Sequence, residues 1–382
     1  MITENNTLPV NEAIPEKRLI EVDILRGFAM LAVISIHVSN IPLTNLASSR
    51  WYLPVYLFNR FLIFAVPVFI IVSAMLAAYT ENGRPTQLFP YYKKKLIRIL
   101  LPYLAWSLFY IAFNLATRGN SLADLLSLKN WVSWILQGRA YIHLYYLAVI
   151  IQFFILFPLL IKLARLVKDR PLWAILIIAG GFNIVYWSNK LWLYKLFPYF
   201  QSSFFWYFGV IFTGLYVGLN FRKVCVWLQK YIIPLTALCI ASAIVFVYLN
   251  YLIYKHVRYH TFFYNAVGQI YYISMAFCLL VWSQRIRARQ WKVRQGLLWI
   301  GRYTMGIYLA HPVLNYFLGR LVKSKNVILL FLICAAAVFA YTVICGYITK
   351  YLEKFRPTAW LVGATTPALR ATPPQEGNRT GF

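Results

Sequence analysis

Apolar residues in this chain come in runs long enough to cross a bilayer. Stretches of about 20 apolar residues with few charges are the mark of transmembrane helices. Ten can be read along the chain: 24–41, 54–79, 96–116, 143–161, 171–188, 202–219, 231–252, 262–283, 298–319 and 327–349. They do not alternate apolar with polar, as the strands of a membrane barrel would. The pattern predicts an all-α integral membrane protein, a bundle of about ten transmembrane helices. The first run carries charge where a plain anchor would not. Asp23, Arg26, Met30, Val33, His37 and Asn40 form one helical stripe, since His37 follows Arg26 by eleven positions and 100° per residue returns to within about 20° of the same face. The rise sets His37 about 16 Å deeper than Arg26. Ionisable groups inside a bilayer are expensive and mark function or a buried pair. The plainer alternative leaves Asp23 and Arg26 at the headgroups and makes His37 a packing histidine.

Composition agrees with the pattern. Charged residues are 13% of the chain and hydrophobic ones 61%, where a soluble domain has about 25% charged. The first 22 residues are polar and lack the basic start, short apolar core and cleavage site of a signal peptide, so the first helix is expected to be retained as an anchor. The predicted organisation is a tail over 1–22, a transmembrane domain over 23–352 and a tail over 353–382. From Arg356 onward Pro, Thr and Gly outnumber large apolar residues, and disorder is expected there. The net charge of +28 is dispersed among the spans, which argues against nucleic acid as a partner. With the N-terminus placed in the cytoplasm, 24 of the 38 Lys and Arg residues fall on cytoplasmic segments and 11 on the outside. That asymmetry predicts an N-in, C-in topology. Two cytoplasmic clusters are denser than topology needs: Lys93, Lys94, Lys95 with Arg98, and Arg285, Arg287, Arg289, Lys292 with Arg294. Either suits a phosphate-rich cytosolic ligand, or anionic lipid headgroups at about 1 kcal/mol per basic residue. The longest outside connection, 117–142, holds Trp131, Trp134, Ile135 and Leu136 and is expected to lay a short helix in the membrane interface.

Few residues in the spans can do proton chemistry. No Asp or Glu lies deep in a span, and the histidines are His37, His143, His256, His260 and His311. His256 and His260 sit in a basic loop without a third ligand, and no metal site is expected. His143 opens the fourth span. Tyr308 and His311 share a helix face, and Pro312 removes the helical partner of the Tyr308 carbonyl, which makes a polar spot within the bilayer. A neutral imidazole with Arg and Tyr nearby suffices for general-base catalysis, with Arg stabilising an oxyanion or holding phosphate. That chemistry fits acyl transfer from a thioester to an alcohol. It leaves open a proton-coupled transporter.

Five stretches, in order, resemble the acyltransferase-3 family of multi-span membrane acyltransferases over roughly 18–350. RLIEVDILRGFAMLAVISIHV is similar to its first helix, with Arg26 and His37 in place. PVFIIVSAML resembles the second-helix segment, with Ser73 matching and Ala74 where Gly is usual. KKKLIRILLPY is similar to the basic lead-in to the third helix, with Lys95 and Arg98 at the positions of an Arg-x-x-Arg pair. HLYYLAVIIQFFILFPLL resembles the fourth helix. IGRYTMGIYLAHPVL resembles the late Gly-x-x-(Ser/Thr)-x-x-x-Tyr-x-x-His segment.

The resemblance implies a bacterial plasma-membrane enzyme that takes acyl-CoA, acetyl-CoA above all, from the cytoplasm. It implies a glycan or lipid-linked glycan acceptor outside, as in O-acetylation of an envelope polysaccharide. His37 would act as general base or transient acyl carrier, and Arg26 would position the donor's phosphates or thioester oxygen. Lys95 and Arg98 would contact the CoA phosphates, although Lys95 lacks the bidentate fork of Arg. Asp23, Ser73, Tyr308 and His311 are expected around the cavity. Some family members carry an extracellular hydrolase-like domain for which this chain has no residues, so a separate extracellular transferase is an expected partner where a second step is needed, alongside membrane lipids. Two other readings stand beside this one: a proton-coupled exporter or flippase of a glycan, and a structural subunit of a polysaccharide synthesis complex.

Overall fold

A computed structural model of the chain describes residues 19–81, 87–119, 121–196, 199–289 and 292–364. Among these residues the regular structure is helical. The long helices in chain order are α1 (Ile20–Val38), α2 (Ala65–Thr80), α3 (Leu101–Thr117), α4 (Tyr145–Leu166), α5 (Pro171–Ser188), α6 (Phe208–Leu219), α7 (Ile232–Tyr254), α8 (Thr261–Ala288), α9 (Lys292–Leu321) and α10 (Val327–Lys354). Short helices extend three of them. Asn40–Asn45 continues α1, Tyr52–Phe61 precedes α2, and Leu88–Lys95 joins α3 through a π-helical turn at Leu96–Leu100.

Eight helical stretches of the described residues are long and apolar enough to cross a bilayer, or nine if Phe204–Leu219 and Phe221–Lys230 are one span bent by 102°. The protein is a multi-pass membrane protein, with fewer such stretches than the ten runs suggest. The run 202–219 stops at Asn220, whose side-chain amide donates to the carbonyls of Lys168 at 3.0 Å and Tyr216 at 3.2 Å. Beyond it Phe221–Lys230 turns aside, carrying Arg222, Lys223 and Lys230. The run 298–319 lies within α9, a helix of 30 residues that also bears Arg302, His311, Asn315 and Arg320. This helix falls short in apolarity because its polar residues are turned toward α1 and an internal cavity.

Helices in a bilayer gain little from hiding apolar surface from one another, so close contact depends on small residues. Gly301 of α9 lies directly on the Asp23 carbonyl of α1, and a Cβ on Gly27 would stand 2.5 Å from the Leu297 carbonyl oxygen. Further along, the Asn315 amide donates to the His37 carbonyl at 3.0 Å. The pairs Asp23–Gly301 and His37–Asn315 make α1 and α9 parallel neighbours. A second contact joins α2 to α6: Gly214 and Gly218 face Ala74 and Ala78, each Ala methyl lying 2.8 Å from where a glycine Cβ would be. Ala74, which stands where the resemblance leads one to expect Gly, is accommodated because the partner helix supplies the missing space.

Arg26, Arg302 and Gly363 line one cavity. The start of α1 and the segment following α10 therefore lie at the same end of the bundle, called here the basic end. Glu21 and Arg287, paired at 2.9 Å, fasten α1 to α8 near this end. Disorder was the expectation from Arg356 onward; instead Arg356–Ala359 and Trp360–Val362 are helical turns, held by the Trp360 indole donating to the Pro357 carbonyl at 2.7 Å. Residues 1–18 and 365–382, which make up most of the two expected tails, lie outside the described residues. The connection 117–142 forms short helical turns at Leu122–Leu126, Leu128–Trp131 and Val132–Leu136. The last does more than rest at an interface, since the Tyr103 hydroxyl donates to the Ile135 carbonyl at 2.6 Å. Tyr103 is roughly 20 Å along the axis of α3 from its far end, so the connection dips back into the bundle and delivers His143 to its interior.

The α1–α9 contact is testable. Gly301→Val must push the two backbones apart, and overpacking of this kind costs about 1–3 kcal/mol. It should lower the melting temperature of the detergent-solubilised protein. Gly296→Ala on the same helix has open space within 4 Å and should leave the melting temperature unchanged or slightly higher.

Candidate active site

The basic end holds a partly open cavity of about 420 Å³ between α1, α2, α4, α9 and the helical lead-in to α3. Five cationic side chains line it: Arg26, Lys94, Lys95, Arg98 and Arg302. No Asp or Glu is among the described residues of the lining. Five cations around one cavity make its potential positive. The local sequence explains the placement. Pro102 has no N–H to offer the Arg98 carbonyl four residues back, and the helix widens into the π-helical turn Leu96–Leu100. Lys95 enters that turn with its ammonium 3.6 Å from the Phe154 ring centroid and 5.5 Å from that of Tyr91. The aromatic faces hold the charge at the cavity wall. Arg26 is steadied from below by Asp23, at 3.5 Å.

A second cluster lies deeper. The ring centroids of His37 and His311 are 5.1 Å apart, those of His143 and His311 5.8 Å, and those of His37 and His143 6.5 Å. His143 and His311 are buried, at 2% and 0% exposure, whereas His37 is partly exposed. His311 Nδ1 lies 2.9 Å from the Ile307 carbonyl. That contact requires the proton on Nδ1 and leaves Nε2 as an acceptor; among the described residues no protein group meets that Nε2 in hydrogen-bond geometry. A buried acceptor of this kind is costly when left unmatched and is available to a water or a hydroxyl. No group of three ligating side chains converges on a metal position among the described residues.

Tyr308 joins the two regions. Its ring lines the cationic cavity, its hydroxyl donates to the His143 carbonyl, and its ring centroid is 5.0 Å from that of His143. Ser73 also lines the cavity, 3.3 Å from the Tyr146 hydroxyl. Arg26, Ser73, Lys95, Arg98 and Tyr308 thus share one cavity. His37 and His311 lie beyond it, past Tyr308, and Asp23 stands behind Arg26 rather than in the lining. The sequence alone assigned no role to His143 or Arg302, and it placed Lys94 only within the basic cluster suited to a phosphate-rich ligand or to lipid headgroups. For His143 there was a signal: a histidine followed by a pair of tyrosines at the head of an apolar span. Arg302 lies within the run 298–319, where it carries no motif of its own.

Comparison with known proteins agrees with this architecture. Residues 19–349 match the family model described as an acyltransferase domain. Curated relatives include a probable poly-beta-1,6-N-acetyl-D-glucosamine export protein of Staphylococcus aureus (strain MRSA252), 25% identical over 71% of this chain and 74% of the relative. A protein of the same description from Staphylococcus epidermidis is 25% identical over 78% of this chain and 82% of its own length. No solved structure matches. The family match spans both halves of the site, from the helix that carries Arg26 and His37 to the one that carries Tyr308 and His311, and the chain belongs to the acyltransferase-3 family of membrane proteins.

Proposed function

We propose that the protein is a membrane O-acyltransferase of the bacterial plasma membrane. It takes an acyl group, acetyl in the simplest case, from cytoplasmic acyl-CoA to a hydroxyl of an envelope polysaccharide or its lipid-linked precursor. The observation that carries this reading is the junction at Tyr308, where a cavity lined by five cations meets a cluster of imidazoles. The excess of Lys and Arg on segments of one side supports placing the basic end in the cytoplasm. There Lys95 and Arg98 contact the CoA phosphates by charge-assisted hydrogen bonds, and Arg26 draws the thioester toward the histidines. His37 accepts the proton of the acceptor hydroxyl as its oxygen attacks the thioester carbon. The C–S bond breaks, the thiolate takes up a proton, and CoA leaves as the free thiol. In a two-step variant His37 itself carries the acyl group first. A separate extracellular transferase completes the path where the acceptor cannot reach the site.

A second reading has its own support. The staphylococcal relatives are described as export proteins, and a proton-coupled exporter of a glycan would use the same polar interior. The readings part on CoA: transfer releases it, whereas export does not.

Three outcomes test the assignment. His37→Ala should lower ester-linked acylation of the envelope polysaccharide by roughly 10²–10⁴-fold, the usual contribution of a general base, at unchanged protein level; undiminished acylation removes His37 from the mechanism. Lys95→Ala should raise the apparent KM for acyl-CoA about tenfold, as expected for loss of one charged hydrogen bond, and leave the KM for the acceptor alone. Purified protein given acetyl-CoA and a glycan acceptor should release free thiol in step with ester formed. Surface glycan that falls on gene deletion, without any thiol release, would favour export.

A further inference from the structure

The cationic cavity has a wall that comes from beyond the part of the chain matched by the family model, which ends at residue 349. After α10 the backbone extends at Phe355, and Arg356–Ala359 and Trp360–Val362 fold back as two short turns. Val362 and Gly363 line the cavity. The hook is tied in at both ends. Thr358 Oγ1 donates to the Leu352 carbonyl at 2.9 Å, and the Trp106 indole of α3 donates to the Leu361 carbonyl at 3.0 Å. Ala359 and Val362 are 3% and 5% exposed, so this segment is packed as core rather than trailing.

Its tip bears on a sensitive place. Gly363 has φ +76°, and a Cβ there would stand 2.7 Å from the Arg98 carbonyl oxygen and 3.7 Å from Met305. A side chain at this position is opposed twice, by the left-handed backbone and by the carbonyl. The Arg98 carbonyl is also the one that Pro102 cannot serve. The hook therefore presses on the widened turn that carries Arg98, and bridges α3 to α9.

We propose that Phe355–Gly363 is a positioning element of the donor site: it walls the cavity between the turn Leu96–Leu100 and α9 and fixes that turn, from which Arg98 reaches the donor's phosphates. The inference rests on the reading of this cavity as the acyl-CoA site. It makes part of the donor affinity a property of a segment outside the matched domain.

The test uses the purified full-length protein in lipid nanodiscs, with CoA itself as the probe. Binding is measured for the wild type, for Gly363→Val, and for Trp106→Phe, which keeps an aromatic ring and deletes the donor to Leu361. Melting temperatures are recorded beside each. The expected result is weaker CoA binding by about tenfold for Gly363→Val and severalfold for Trp106→Phe. In turnover, the KM for acyl-CoA should rise while the KM for the acceptor stays fixed, a split that general loosening of the bundle would not produce. Val362→Cys supplies an independent readout: labelling of this residue by a thiol reagent, measured against the wild type with its native free cysteines, should be slowed by acetyl-CoA, which has no free thiol, and not by the acceptor. If the wild type binds CoA and the Trp106→Phe and Gly363→Val proteins bind it equally well, the hook has no part in the donor site and the proposal is overturned, while the assignment of the cavity stands. CoA binding that is lost only in step with the melting temperature, with both KM values moved alike, also overturns it. A wild type that binds no CoA would instead strike the assignment of the cavity, and the proposal would go with it.

Discussion

The distance between α1 and α9 governs this molecule. Water drives soluble helices together, but lipid is as apolar as their side chains, and two helices in a membrane meet closely only where atoms are missing. Gly27 and Gly301 are such places. At Gly301 the backbones of the two helices touch, and this contact sets both the depth and the rotation of everything α1 carries. Arg26 then faces the cavity, and His37 comes beside His311 at 5.1 Å between ring centroids. A wider separation would leave the same residues on the same helix faces with no site between them. The α2–α6 contact works by the same rule and forms the other side of the bundle.

Two kinds of polar surface are then held apart by one residue. The cavity at the basic end collects cations, with no Asp or Glu among the described residues of its lining. The deeper cluster collects imidazoles without cations. Tyr308 belongs to both, presenting its ring to the first and its hydroxyl to the backbone of His143 in the second. The separation suits a reagent with a polyanionic handle and a small reactive end. On the proposed reading the handle would be held by long-range charge, which tolerates imprecision, and the reactive end among buried rings, which do not.

Much of this was legible in the sequence, because the relevant signals are local. The stripe from Asp23 to Asn40 rests on helical periodicity alone, and its charged members do face inward. The basic pair Lys95 and Arg98 lies where the cluster of charge suggested, and Tyr308 and His311 share a face as their spacing requires. What was hidden depends on tertiary packing. His143 reads as the first residue of a span, and only the dip of the preceding connection, pinned by Tyr103, brings it among the other histidines. α9 reads as a span over 298–319, and only packing shows that its Asn315 and His311 face α1. Ala74 looked like a misfit until Gly214 and Gly218 appeared across from it. The segment after Arg356 has the composition of a tail, yet one indole and one left-handed glycine suffice to dock it.

The unbalanced charge of the cavity bears on energy conservation as well as on binding. A polar route leading from one face of a membrane to buried imidazoles is a hazard to the cell, since histidines pass protons readily and the transmembrane potential pulls on any that enter. Fixed positive charges at a pore mouth raise the barrier to protons and metal cations, as arginines do in selective channels. Arg26, Lys94, Lys95, Arg98 and Arg302 line the cavity at the basic end. On the proposed reading, the same five side chains that would attract an anionic donor would also oppose the entry of protons and metal cations.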